Sequence, residues 1–141
     1  MAQPASWADV TEATRRVMRG NRGKDTKPEL TLRKALHGMG YRFRLHRRDL
    51  PGTPDVVLPR YRAAVQVHGC FWHQHPGCAR AHMPKSRQEY WGPKLARNVA
   101  RDRDNERRLV EAGWRVLVVW ECETGRLPEL KERLEKFVRG T

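Results

Sequence analysis

The sequence predicts an α/β layered domain with a mixed sheet. Segments with helical apolar spacing alternate with short β-rich runs in the order α-α-β-β-β-α-β-α, and the runs are separated by Pro- and Gly-bearing turns. One run, Trp114-Arg115-Val116-Leu117-Val118-Val119-Trp120, is apolar enough for a buried central strand. A length of 141 residues suits one domain with a real hydrophobic core.

Residues 6–20 read as a helix, with Ser6 as cap and Trp7, Val10, Val17 and Met18 as apolar positions, before a basic break at Gly20-Asn21-Arg22-Gly23-Lys24. Thr26 opens a second helix, with Pro28 in its first turn and Glu29 three residues after the cap. Leu32, Ala35, Leu36 and Met39 form its stripe, and Gly40 is its stop. Strands are expected at 41–45, 55–58 and 63–68, joined by turns through Leu50-Pro51-Gly52-Thr53-Pro54 and Pro59-Arg60-Tyr61-Arg62. Residues 79–93 read as a polar loop carrying Tyr90 and Trp91. A charged helix then runs from about Pro93 to Ala112 and stops at Gly113. After the 114–120 strand, Leu127, Leu130, Leu134, Phe137 and Val138 mark a last amphipathic helix.

Charge narrows the function. With 29 Lys+Arg against 16 Asp+Glu, the net charge is +13, which calls for a polyanion, and nucleic acid is the usual one. No apolar stretch approaches a membrane span, and Met1-Ala2-Gln3-Pro4 leads into polar sequence without a signal-peptide core, so a cytoplasmic setting is expected.

The chemistry concentrates in Gly69-Cys70-Phe71-Trp72-His73-Gln74-His75-Pro76-Gly77-Cys78, read with Cys122. Three thiols cannot all pair, and thiolates with an imidazole are what tetrahedral Zn²⁺ selects. Either His73 or His75 fits as the fourth ligand. Asp55 follows a turn and begins a strand, while His68 ends the next one. If the two pair as a hairpin, a carboxylate, a strand-end carbonyl and two imidazoles meet around a Mg²⁺ ion. Each residue also has a plainer role: Asp55 in a turn, His68 at a strand end, Glu29 in a capping box with Thr26, Phe71-Trp72 in the core. The charged helix with Lys94, Arg97 and Arg101 is either a solvated face or a phosphate track.

These motifs have a family likeness. Leu50-Pro51-Gly52-Thr53-Pro54-Asp55, His68-Gly69-Cys70-Phe71-Trp72-His73, Asn98-Val99 with Arg101-Asp102-Arg103, and Val119-Trp120-Glu121-Cys122 resemble the very-short-patch-repair (Vsr) mismatch endonucleases. These form a branch of the PD-(D/E)xK, restriction-endonuclease-like superfamily, and the likeness runs from about Met18 to Val138. It implies a three-layer domain with a mixed central sheet flanked by helices. Residues 25–141 would form the endonuclease domain with its zinc loop at 69–78, and residues 1–24 a basic arm on DNA.

The resemblance also implies residue roles. Asp55 and the Val67 backbone carbonyl match the Mg²⁺ ligands, His73 the general base, and His68 and Glu29 further active-site groups. Cys70, His75, Cys78 and Cys122 match a structural Zn²⁺ site. Phe71, Trp72 and Trp91 match aromatics that wedge beside the mismatch, with Met18, Arg19, Lys94 and Asn98 as further DNA contacts. The implied activity is a strand-specific nick 5′ of the thymine of a T:G mismatch left by 5-methylcytosine deamination. Implied partners are mismatched double-stranded DNA, MutL-type repair proteins and, functionally, a cytosine-5 methyltransferase. A monomer near the bacterial nucleoid is the implied setting.

Three departures are visible. Val67 stands where the family often has threonine, Pro76-Gly77 lengthens the His75-to-Cys78 spacing by one residue, and Asn21 replaces an apolar residue. The alternatives are a related nicking enzyme with another mispair or sequence target, or a non-catalytic, zinc-stabilised DNA-binding module.

Overall fold

A computed structural model describes residues 26–140. Three helices, α1 (Lys27–Gly38), α2 (Gln88–Glu111) and α3 (Leu127–Arg139), and four strands, β1 (Arg44–Leu45), β2 (Val56–Leu58), β3 (Ala63–His68) and β4 (Arg115–Trp120), build it. The sheet order is β1-β2-β3-β4, antiparallel except for the β3–β4 pair, which is parallel. The expected mixed sheet is therefore present. The predicted helix at 6–20 lies outside the described residues.

Two apolar clusters separate three layers. Leu32 and Leu36 of α1 and Leu130, Leu134 and Val138 of α3 cover one face, against Val56, Leu58, Ala63, Val65 and Val119. On the other face, Leu109 of α2 meets Val57, Ala64 and Trp114. The alternation of Val56, Val57 and Leu58 between clusters is the period of two that a strand covered on both faces requires. Arg115 fixes the C-terminal end of α3: its guanidinium donates to the Val138 carbonyl (3.1 Å), to that of Phe137, and to the Tyr61 carbonyl (3.0 Å). A cation at those orphaned carbonyls satisfies the helix end and its dipole together.

Three expectations need correction. The apolar 114–120 run is not a central strand: β4 lies at the sheet edge, and only Val119 within it is fully buried. Its apolarity serves both faces at once, Leu117 and Val119 packing toward α1 and α3, Val116 toward α2. The strand expected at 41–45 shortens to Arg44–Leu45, because Tyr41 turns into the core and donates to Glu135 (3.1 Å). The polar loop expected at 79–93 ends early. α2 starts at Gln88 and carries Pro93 inside it, because burying Trp91 draws the helix start back by more than a turn. Trp91 is only 2% exposed, so it is a core residue, not an exposed loop aromatic.

Candidate active site and metal centre

The parallel pairing of β3 and β4 places His68 beside Trp120, so the loop leaving β3 and the turn leaving β4 emerge together. That juxtaposition brings Cys122 to Cys70. The loop coils back on itself: the His73 amide donates to Gly69 (3.1 Å) and the His75 amide to Cys70 (2.9 Å). Gln74 sits at a left-handed φ of 51°, and its Nε2 donates to the carbonyls of Phe71 (2.7 Å) and Ala81 (3.2 Å).

The ligand atoms of Cys70, His75, Cys78 and Cys122 all lie within 4.8 Å of one another. His75 Nδ1 is 3.7 Å from Cys70 Sγ and 3.4 Å from Cys122 Sγ. Tetrahedral zinc, with its ordinary Zn–S and Zn–N bonds, separates sulfur from nitrogen by about 3.6 Å. The four residues fit that ion. Burial pushes the Cys70 thiol up to about 12, and a coordinated cation is what holds such a thiol as thiolate. The His75 ring is fixed by stacking on Trp120, with centroids 4.2 Å apart.

A harder site lies at the same C-terminal end of β3, on the side of β2. Asp55 precedes β2, and the Val67 amide of β3 donates to its Oδ2 (2.7 Å), so the hairpin register aims the carboxylate. From α1, Glu29 points inward at 3% exposure, its N–H held by the Thr26 hydroxyl oxygen (3.4 Å). Arg33 Nη2 and His46 Nε2 each stand 3.1 Å from Glu29 Oε2. The ligand atoms of Glu29, His46 and Asp55 fall within 4.8 Å of one another. Burial pushes the Asp55 carboxyl up to about 6; Glu29's charge adds to this, and the Val67 hydrogen bond opposes it. Two carboxylates crowded in a half-buried site are stabilised by a divalent cation, and a hard one suits oxygen donors.

Beside it stands a histidine pair. His73 Nδ1 is 2.5 Å from Asp102 Oδ2, which leaves Nε2 as the nitrogen for proton transfer. The His68 ring stacks on His73 at 3.9 Å and 8° and meets Trp120 edge-on. Burial and then His73's charge push His68 down to about 4, so it is neutral at pH 7. The same His73 acts electrostatically on Asp55, which ties the two groups into one site.

A family model described as DNA mismatch endonuclease Vsr matches residues 8–80. The chain is 45% identical over 140 residues to DNA mismatch endonuclease Vsr of Escherichia coli K12, covering 94% of this chain and 89% of that protein. It is 52% identical over 127 residues to Type II nicking enzyme V.XorIIP of Xanthomonas oryzae, covering 90% and 93%. Type II nicking enzyme V.NmeAIP of Neisseria meningitidis is 43% identical, with 82% of each chain covered. The chain belongs to the Vsr family. It is an endodeoxyribonuclease of the mismatch and nicking type.

In this Vsr chain the structure sorts the expected site residues into distinct places. His75, not His73, joins the cysteines; His73 joins Asp102. Val67 meets Asp55 through its amide. Phe71 and Trp72 are half-buried, edge-on to one another at 5.2 Å, and each packs on Trp91. Trp91, expected beside Phe71 and Trp72 as an exposed aromatic, is instead enclosed and packs behind both rings. Asn98 donates to the Trp72 carbonyl (3.2 Å) and accepts from Arg101 (2.7 Å), so it steadies the aromatic loop. The Lys94 ammonium lies 6.0 Å from the Trp72 ring. Met18 and Arg19 lie outside the described residues.

Sequence reasoning gave no role to His46, Arg33 or Asp102. For Asp102 a signal exists. Trp91, Leu95, Asn98, Asp102, Asn105 and Leu109 form one continuous helical stripe, apolar at both ends and polar in the middle. That polar middle faces the loops: Asn98 at Trp72, Asp102 at His73, and Asn105 so close to Gly52 that a Cβ there would stand 2.8 Å from it. Among the described residues, no helix is long and apolar enough to cross a membrane.

Proposed function

We propose that this Vsr-family enzyme is a Mg²⁺-dependent, strand-specific endonuclease that nicks 5′ of the thymine of a T:G mismatch and so starts very short patch repair. The observation that carries the reading is the meeting of Glu29 and Asp55 with the His73–Asp102 pair and the stacked His68 beside an aromatic loop. The relatives support it, one being called a mismatch endonuclease and others nicking enzymes.

In this reading Asp55, with the Val67 backbone carbonyl, holds Mg²⁺, and Glu29 adds charge beside it. When bound, the cation supplies Lewis-acid stabilisation of the charge that builds on the phosphate. His73 Nε2 accepts the proton of the attacking water, while Asp102 fixes the tautomer and stabilises the imidazolium that results. His68, neutral and stacked, keeps the His73 ring in plane without competing for the proton. Cleavage leaves a 5′-phosphate and a 3′-hydroxyl.

Zn²⁺ on Cys70, His75, Cys78 and Cys122 would hold the loop rigid. Phe71 and Trp72, next to Cys70 in the chain, then act as wedges; an unstacked step costs a few kcal/mol, less at a mispair. Lys94 and the basic face of α2, with Met18, Arg19 and the arm formed by residues 1–24, track the phosphates. The chain would act as a monomer in the bacterial cytoplasm near the nucleoid. Its partners would be MutL-type proteins and, functionally, a cytosine-5 methyltransferase.

The test is a duplex panel. Matched, T:G and other mispaired duplexes are incubated with Mg²⁺ or with EDTA. Nicking only of the T:G duplex, on the thymine strand and only with Mg²⁺, is the expected result. Equal cutting of matched DNA contradicts the mismatch reading.

A further inference from the structure

We propose that His46 is a third ligand of the cation site at Asp55, completing a set of two carboxylates and one imidazole that accepts Mn²⁺ as readily as Mg²⁺. The inference rests on the reading of Asp55 as a metal-binding residue and extends it to a side chain that the family motifs above leave out.

Geometry comes first. The three ligand atoms arrive from three elements: Glu29 from α1, His46 just after β1, and Asp55 just before β2. His46 Nε2 lies 3.1 Å from Glu29 Oε2. Adjacent ligands on an octahedral ion with bonds of ordinary length stand about 3.0 Å apart, so the pair is already spaced for a shared cation.

The backbone points the same way. His46 adopts a left-handed φ of 45°, and its amide donates to the Asp55 carbonyl (3.1 Å). A non-glycine residue in that region signals a conformation the surroundings impose. Here it turns the ring inward, to 21% side-chain exposure, instead of letting it extend into water.

Charge neutralisation alone gives His46 no task. Arg33 already meets Glu29 at 3.1 Å with a permanent positive charge. What the imidazole adds is a nitrogen lone pair to offer a cation. Both Mg²⁺ and Mn²⁺ favour oxygen donors, but Mn²⁺ accepts an imidazole nitrogen more readily than Mg²⁺ does, so this ligand broadens the range of usable cations.

The experiment is Mn²⁺ titration of the full chain followed by electron paramagnetic resonance, with electron spin-echo modulation to detect bound imidazole nitrogen. Parent, His46→Gln, His73→Ala and Asp55→Ala proteins are compared. The parent and His73→Ala should show ¹⁴N modulation, and His46→Gln should lose it. His46→Gln should also bind Mn²⁺ about tenfold more weakly, with Mg²⁺ affinity falling less than about threefold. Glutamine retains an N–H donor for Glu29, so a purely structural role would survive this change. Unchanged modulation and Mn²⁺ affinity in His46→Gln overturn the proposal, as does modulation that vanishes in His73→Ala instead. Asp55→Ala keeps the two readings apart. If it retains Mn²⁺ with the nitrogen signal, His46 stands as a ligand and the Asp55 reading fails.

Discussion

The cysteine cluster and the Asp55 site lie on either side of the same strand, yet they are built on opposite plans. Three of the four candidate soft ligands come from a nine-residue stretch, and the fourth follows β4; their donor atoms cluster at a spacing that suits a tetrahedral ion. The Asp55 site draws on α1, the turn after β1, the start of β2, the end of β3, the loop beyond it and α2. One site is therefore nearly local, and the other exists only once the sheet and both helical layers are in place. Damage to the first should act through order of the loop, and damage to the second through chemistry with the fold intact.

The sharpest break between them is Cys70→Ser. It removes a fully buried ligand, so bound zinc should vanish and stability should fall by on the order of several kcal/mol, with nicking lost as well. Elemental analysis and thermal melting check this. Asp102→Asn should do the reverse. It removes the partner that fixes the His73 tautomer, lowering the nicking rate by about 10²- to 10⁴-fold while melting and zinc content stay near the parent.

The aromatic loop bridges the two sites and divides in the same way. Trp91→Ala empties an enclosed position and should cost about 3–5 kcal/mol of stability. Trp72→Ala, at a half-buried position, should cost about 1 kcal/mol and weaken binding to T:G duplex selectively. Chemical denaturation and duplex binding, measured on both variants, separate buttress from wedge.

Acid titration gives the smallest net effect, because its two contributions oppose one another. Asp55 titrates near 6 in the folded chain against about 3.9 unfolded, so its contribution is fully present below pH 4 and lost as pH rises through 6. His68 titrates near 4 against about 6.5 unfolded, so its contribution is present above that range and lost as pH falls through 4. Each amounts to on the order of 3 kcal/mol. Between pH 6.5 and 4, Asp55→Asn should steepen the acid loss of stability and His68→Gln should flatten it, as denaturation midpoints across pH would show.

The same contrast explains what the sequence revealed. Cysteines are rare and soft, so Cys70, Cys78 and Cys122 stand out by type alone, while spacing leaves His73 and His75 both open and only the family resemblance points to His75. Asp55, His68 and His73 were legible because a turn, two strands and the family motif frame them. Helix α1, the β2–β3 hairpin and α3 followed from caps and periodicity. His46 was illegible because nothing in Leu45-His46-Arg47 signals a left-handed turn, whereas Asp102 is marked only by its place in the polar middle of the α2 stripe, which does not name His73 as its partner. β4 misled for a related reason: an edge strand covered by helices on both faces is as apolar as a central one.

The most direct test pairs two readouts on one sample, Asp55→Ala: zinc content by elemental analysis, and Mg²⁺-dependent nicking of a T:G duplex. Full zinc content with nicking abolished is the result expected if the two sites hold separate cations for separate purposes. Undiminished nicking, or zinc lost together with the carboxylate, would contradict that division.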